Sequence, residues 1–306
     1  MRVAAIDCGT NSIRLLVADP SDGGLVDVVR DMRIVRLGEG VDRSRRLSAA
    51  ALERTRAALS DYAVTIAAHG TERVRMVATS ATRDASNREV FVAMARAVLG
   101  AEPEVISGAQ EAELCFAGAV TGLSGVNGPV LVADIGGGST ELVRGDTSEA
   151  RPLGSHSMDV GCVRMTERYL HDDPPTPDQI RATVADVRCA IATAASDVAI
   201  SMPATFVGVS GTVTTLAAIA LRLDRYDAAA IHGATLSAPQ VDDITSRLLV
   251  MTRVERAALP AMHPGRVDVI GAGALVLRTL LEATGASQVI ASEHDILDGI
   301  ALSLLR

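Results

Sequence analysis

The chain contains one short device twice, Asp7-Cys8-Gly9-Thr10-Asn11-Ser12 and Asp134-Ile135-Gly136-Gly137-Gly138-Ser139. In each, an apolar run (Val3 to Ile6, Val130 to Ala133) delivers an aspartate, glycine permits a tight reversal, a small hydroxyl follows, and a second apolar run returns. A glycine-rich reversal between two strands turns successive backbone N–H groups toward one point, which makes an anion nest without spending cationic side chains. Two such turns facing each other would grip a phosphate chain. A carboxylate at the end of each first strand suits Mg²⁺, which binds one or two carboxylates together with waters and phosphate oxygens. One turn of this kind is an ordinary hairpin; two copies, each early in its half and in the same order, favour phosphate binding.

At 306 residues the chain exceeds what one core usually organises, and roughly 150 residues per domain points to two. Thr121 to Pro129, dense in glycine and serine, is the expected exit of the first domain, giving domains 1–124 and 125–306 with the last helix packing back on the first. Only 2% of residues are aromatic, so cores must be built from small aliphatic side chains, as in a sheet flanked by helices. The net charge of −8 repels polyanions overall, which argues against nucleic acid and requires a local basic path for any phosphate polymer. All 29 basic residues are arginine, so a Walker A lysine is excluded and phosphate contacts fall to a planar bidentate donor.

Cys8, Cys115, Cys162 and Cys189 lie far apart, without metal-ligand spacing, and are expected as small buried hydrophobes in a reducing cytoplasm. The N-terminus lacks the basic region and cleavage site of a signal peptide, and no apolar run has membrane-spanning length.

Val3 to Ile6 read as a buried strand, Ser12 to Ala18 as its hairpin partner, and Val26 to Arg36 as a third strand broken at Asp31. Ser48 suits the N-cap of a helix running to Ala68. Val74 to Ala78 read as a strand, TSATRDASN as a loop, and Arg88 to Leu99 as a helix. In the second half, strands are expected at Val130 to Asp134, Glu141 to Arg144 and Val207 to Val209, and helices near 160–170 and 178–199. An amphipathic helix closes the chain after Ser292.

Beyond the two turns, AIDCGTNSIRLLV, TSATRDASN, ISGAQEAELCFAG, VADIGGGSTELV, VGVSGTVTTLAA and ASEHDILDGIAL occur in that order. Together they make the chain similar to the exopolyphosphatase/guanosine pentaphosphate phosphohydrolase family, in the short form without extra C-terminal helical domains. The resemblance spans the first strand to the last helix, and SGxxEA with DIGGGSTEL is far more specific than a lone glycine turn. It implies an α/β fold of two actin-like, ribonuclease H-like domains with a phosphate-binding cleft between them. It also implies Mg²⁺-dependent hydrolysis, a monovalent cation being an open addition.

Carried over by position, the general base falls on Glu111, Asp134 and Glu141 hold Mg²⁺ and the lytic water, and Asp7 faces them from the first domain. Arg83 resembles the family's phosphate-contacting arginine. The expected phosphate-binding residues are Gly9, Thr10, Asn11 and Ser12 of the first turn and Gly136, Gly137, Gly138, Ser139 and Thr140 of the second. Without the motif, Glu111 reads as a solvated helix charge, Glu141 as an exposed strand residue and Arg83 as a surface cation.

Inorganic polyphosphate, losing its terminal orthophosphate, is the expected substrate. Guanosine pentaphosphate (pppGpp) is the alternative, since the same residues serve both. An actin-like ATP switch ranks third, because the chain has no evident filament or peptide-binding insertion. The resemblance also suggests a homodimer, while the net charge and the lack of a long apolar run argue against nucleic acid and membrane as partners. SGTVTTLAA sits where actin-fold ATPases place an adenosine-contacting turn, and nucleotide site and scaffold both stay open there. Arg33, Arg36, Arg43, Arg45 and Arg46, with Arg164 and Arg168, form either a polyanion path or a solvated surface. Where many family members carry an arginine in the closing motif, this chain has Leu297 or Asp298, a departure that bears on chain-length preference.

Overall fold

The computed structural model describes the chain except residues 23, 124, 125, 127, 148–150, 202, 204 and 306. The expected domain boundary at 124/125 therefore lies outside the described residues. Two compact units are distinct: unit 1 is Met1–Gly122 with Asp295–Arg306, and unit 2 is Leu123–His294.

Unit 1 runs β1 (Val3–Cys8), β2 (Ser12–Ser21), β3 (Gly24–Ile34), α1 (Val41–Ser44), α2 (Ala49–Ala68), β4 (Arg73–Ala78), α3 (Ser80–Asp84), α4 (Arg88–Leu99), β5 (Glu104–Val105) and α5 (Gly108–Val120). Its sheet has the order β3-β2-β1-β4-β5, antiparallel among β1 to β3 and parallel across β1, β4 and β5. Because side chains alternate along a strand, Ala4, Ile6 and Cys8 enter the core formed with Leu59 and Tyr62 of α2 and Phe91 of α4. Asp7 belongs to the opposite face. Ser48 caps α2 by accepting from Ala51 N–H at 3.2 Å, and Ser107 with Gln110 forms a capping box on α5.

Unit 2 runs β6 (Pro129–Ile135), β7 (Thr140–Asp146), β8 (Arg151–Met158), α6 (Cys162–Tyr169), α7 (Pro177–Ala194), β9 (Thr205–Val209), α8 (Ser210–Ala220), α9 (Ala228–Ile231), β10 (Thr235–Ser237), α10 (Ala238–Val250), α11 (Arg253–Ala257), α12 (Ile270–Thr284) and β11 (Gln288–Ala291). The chain then returns to unit 1 as α13 (Ile296–Ser303). The sheet order is β10-β11-β9-β6-β7-β8. Its β8-β7-β6-β9-β11 portion repeats the unit 1 pattern, three antiparallel strands followed by two parallel ones, and β10 is an added antiparallel edge. The repeated sequence device is thus the first hairpin of a repeated actin-like, ribonuclease H-like sheet. Among the described residues no helix is long and apolar enough to cross a membrane.

Three local expectations are corrected. Asp31 does not break β3, because this is an edge strand, where the half-exposed carboxylate accepts from Met32 N–H at 2.8 Å and pairs with Arg33. TSATRDASN is not all loop: α3 occupies its centre and carries Arg83. SGTVTTLAA, for which nucleotide site and scaffold were both open, is helix from Ser210 onward, with Thr212 to Ala218 buried. Gly211 lies directly under the Arg266 guanidinium, which also donates to Thr215 Oγ1 at 3.0 Å. Cys8, Cys115 and Cys162 are buried as expected, whereas Cys189 is exposed on α7.

Candidate active site

Both glycine turns are closed by the same backbone hydrogen bond, Gly9 N–H to Ser12 C=O and Gly136 N–H to Ser139 C=O, each 3.0 Å. Neither Gly9 nor Gly136 has a positive φ, so neither turn requires glycine for left-handed backbone. A Cβ on Gly136 would sit 3.1 Å from Ser139 O.

In unit 2 the turn carbonyls are all consumed on one side. Cys162 N–H donates to Gly136 C=O at 2.9 Å, Val163 and Arg164 N–H to Gly137 C=O, and Arg164 Nε to Gly138 C=O at 2.6 Å. In a trans peptide the N–H of the next residue points opposite to the carbonyl. The N–H groups of Gly137, Gly138 and Ser139 therefore all aim away from α6. Gly161 is needed for this close approach, since a Cβ there would meet Gly137 and Gly138 backbone atoms. Thr140, by contrast, is buried and donates its hydroxyl to Val160 C=O at 2.6 Å, bracing the turn from behind. In unit 1, Thr10 C=O accepts from Gly38 N–H at 2.8 Å, which turns Asn11 N–H to the other side by the same reasoning.

The carboxylates lie beside these turns. Asp134 and Glu141 are direct cross-strand partners in the β6–β7 hairpin, so their side chains share a face, and they are only 5% and 1% exposed. Glu141 accepts from Ser157 Oγ at 2.7 Å, and Asp134 accepts from Ser210 Oγ. Ser210 makes that contact from a left-handed backbone (φ 71°) at the start of α8. In unit 1, Asp7 Oδ2 accepts from Arg14 Nε at 3.0 Å and Nη2 at 2.6 Å, while Arg14 Nη1 reaches Asp295. Asp7 Oδ1 is buried with no hydrogen-bond partner. Burial raises the Asp7 pKa, and the Arg14 guanidinium opposes that shift.

Glu111 lies in the first turn of α5, where a carboxylate suits the positive end of the helix, and it is 6% exposed. Arg83 Nη1 donates to Glu111 Oε2 at 2.8 Å and to Ile106 C=O at 3.1 Å. Both residues, which read without the motif as surface charges, are thus one ion pair joining α3 to α5, and Glu141 is equally buried rather than exposed.

The sequence profile of the Ppx/GppA phosphatase family matches residues 16–306. The chain belongs to that family. Exopolyphosphatase 2 of Mycobacterium tuberculosis is 52% identical to it over 99% of this chain and 98% of its own length. A crystal structure of an exopolyphosphatase-like protein is 43% identical with a TM-score of 0.95, covering 99% of this chain and 97% of the other. The guanosine-5'-triphosphate,3'-diphosphate pyrophosphatase of Aeromonas salmonicida is 30% identical over 99% of this chain but only 59% of its own length. Like this chain, that Ppx/GppA-type relative therefore matches through a shared core, and the longer protein continues beyond it.

Several residues around this Ppx/GppA core were not singled out from the sequence. Arg14 had a local signal, because hairpin register places it opposite Asp7. Ser157 had none, and Ser210, though it opens the SGTVTTLAA motif, gave no sign of its carboxylate partner, since each reaches that carboxylate through sheet pairing that no short spacing encodes. Arg164 and Arg168 leave the proposed polyanion path: Arg164 is buried beneath the glycine turn, and Arg168 is paired with Asp186 at 3.2 Å. Arg33 leaves it too, paired with Asp31 and Asp61 and stacked 5.4 Å from the Tyr62 ring centroid. Asp298 has a role of its own, caging the α13 N-terminus by accepting from Asp295 N–H at 3.0 Å and pairing with Arg30.

Proposed function

We propose that this chain is a Mg²⁺-dependent exopolyphosphatase that releases terminal orthophosphate from inorganic polyphosphate. The observation that carries the reading is the buried Asp134–Glu141 pair beside the glycine turn. Two like charges directly opposite on one hairpin destabilise it unless a cation or proton intervenes, so the pair suits a divalent ion. Among the described residues no group of three or more potential protein ligands is assembled, which suits Mg²⁺ because it keeps waters and phosphate oxygens in its shell. The orphaned Asp7 Oδ1 fits the same donor chemistry. Of the three expected ligands, Asp134 and Glu141 would hold the ion, which would supply neutralisation of the phosphate charge.

Glu111 takes a proton from the attacking water as its oxygen bonds to the terminal phosphorus, the bridging P–O bond breaks, and the shortened chain departs with that bridging oxygen. Arg83 orients Glu111 and contacts the transferred phosphoryl group, and the N–H groups of the two turns receive phosphate oxygens. The 52% identical relative named exopolyphosphatase 2 supports polyphosphate as the substrate. Guanosine pentaphosphate is the second reading, supported by the 30% identical Aeromonas pyrophosphatase. Free cysteines suit the cytoplasm, and a homodimer belongs to the same reading through the family resemblance.

Orthophosphate release from long polyphosphate, tripolyphosphate, guanosine pentaphosphate and ATP, with Mg²⁺ and with EDTA, tests the proposal. Rapid EDTA-sensitive release from polyphosphate is expected, with turnover requiring both Glu111 and Asp134. Release from guanosine pentaphosphate alone would move the substrate to the second reading, and slow turnover of ATP alone would end the hydrolase reading.

Ser210 gives a finer test. A hydrogen bond to a carboxylate contributes about 1.5–3 kcal/mol, so Ser210→Ala is expected to lower kcat by roughly tenfold or more by freeing Asp134. Ser210→Gly should lose as much activity yet melt higher than Ser210→Ala, because glycine accepts the positive φ. Equal kcat in wild type and both variants would remove Ser210 from any positioning role.

A further inference from the structure

Most arginines of this acidic chain are matched by a carboxylate, as in Arg14 with Asp7, Arg30 with Asp298, Arg75 with Glu104 and Arg278 with Asp242. The strap between β3 and α2 departs from this. Arg43 and Arg46 are exposed and form no ion pair among the described residues. Arg45, 60% exposed, has among the described residues only Asp84 as an ion-pair partner, at 3.9 Å.

The strap is fixed to both phosphate-contact elements of unit 1. On one side, Arg36 N–H donates to Asn11 C=O and Gly38 N–H to Thr10 C=O, both at 2.8 Å. On the other, Arg45 C=O accepts from Ser86 N–H at 2.8 Å, and Leu47 exchanges hydrogen bonds with the Asn87 side chain at 2.8 and 3.0 Å. Ser86 and Asn87 follow directly on the α3 segment that holds Arg83. Arginines on this strap therefore stand next to where unit 1 would meet a terminal phosphate.

The backbone adds an independent observation. Arg36 and Arg45 occupy left-handed conformations (φ 49° and 55°), where glycine is at ease and a Cβ is penalised. Arg45 N–H caps α1 by donating to Val41 C=O at 2.8 Å, a position that glycine fills well. A strained position that keeps a long cationic side chain pointing to water is better explained by what the side chain binds than by what the fold needs.

We propose that the Arg36–Leu47 strap, through Arg43, Arg45 and Arg46, docks the portion of a polyphosphate chain that lies beyond the phosphates held at the Gly9–Ser12 turn. The proposal rests on the polyphosphate reading and makes chain length the property the strap senses. The net charge of −8 favours a compact local patch over a broad basic field, which suits a thin flexible polyanion more than a nucleic acid surface.

The test is equilibrium binding of long-chain polyphosphate and of tripolyphosphate, with Mg²⁺, to full-length protein carrying Glu111→Gln so that the ligand survives. Added to this background, Arg43→Ala with Arg46→Ala, and separately Arg45→Gly, should each weaken long-chain binding by about tenfold. Tripolyphosphate affinity should change by less than about twofold, since a tenfold effect requires an arginine that reaches it. The dependence of log Kd on log salt should become shallower for the long chain, because fewer counterions are released. Arg45→Gly should melt no lower than its parent.

Equal weakening for both chain lengths, unchanged long-chain binding, a lower melting temperature for Arg45→Gly, or equally tight binding of single-stranded RNA would each overturn the docking role. A folded parent that binds neither phosphate chain would end the polyphosphate reading itself. A parent that binds both while the strap variants match it would remove only the strap.

Discussion

Glu111→Gln is expected to lower kcat for orthophosphate release by about a hundred- to ten-thousandfold, the range a positioned general base usually contributes. Glutamine keeps the volume of the side chain and fits the same place at the start of α5, which is held independently by the Ser107–Gln110 capping box. The variant breaks the Arg83–Glu111 ion pair, but Arg83 keeps its hydrogen bond to Ile106 C=O and is 25% exposed, so water can solvate the guanidinium. Binding and melting temperature should therefore move little while kcat collapses. Steady-state kinetics on polyphosphate beside a thermal melt separates the cases: kcat within tenfold of wild type rules Glu111 out as the base. A collapse in kcat that tracks a collapse in melting temperature would instead make Glu111 a structural partner of Arg83.

The repeated glycine turn was legible in the sequence because its requirements are local: an apolar strand, an aspartate, a small-residue reversal and a returning strand within a dozen positions. The same locality made β1, β2, β4 and α2 readable, and Ser48 as a cap. The Asp31 error had a physical source, since a charge inside a strand pattern argues for a break only where both faces are covered, and β3 is an edge. The brace beneath the second turn was not legible, because Arg164 reaches Gly138 C=O from a helix 26 residues on. Nor was Ser210, 76 residues from Asp134, which meets it only because β9 lies parallel to β6. Motif resemblance pointed to Glu111 and Arg83, but their direct pairing depends on where α3 and α5 lie in the fold, which no local spacing encodes.

Gly118→Ala and Gly299→Ala should each destabilise unit 1, against the sign that helix propensity gives. Within a helix, alanine is favoured over glycine by about 1 kcal/mol. These two glycines lie where α5 and α13 cross: a Cβ on Gly118 would be driven into the Asp295 carbonyl, and one on Gly299 into the Leu114 carbonyl, both inside the 3.0 Å that real Cβ atoms respect. The obstacles are backbone rather than flexible side chains, so relief requires moving one helix off the other. Overpacking of this kind costs about 1–3 kcal/mol and sometimes more, enough to exceed the propensity gain. A net loss of about 2 kcal/mol corresponds to a melting shift of roughly 4–8 °C for a unit of this size class.

The crossing also bears on the proposed site, because α5 holds Glu111 and the start of α13 holds Asp295, the second carboxylate on the Arg14 that grips Asp7. Separating the helices should disturb both ends of unit 1, so the two variants are expected to lose activity with stability. Gly70→Ala is the control: its φ of 61° predicts backbone strain, but a Cβ there meets nothing within 4 Å and the site residues are untouched. It should melt lower while retaining kcat at temperatures where it is folded. If Gly118→Ala and Gly299→Ala instead melt higher than wild type, intrinsic propensity outweighs the crossing, and the close approach of α5 to α13 cannot be what sets the Glu111 and Asp7 positions.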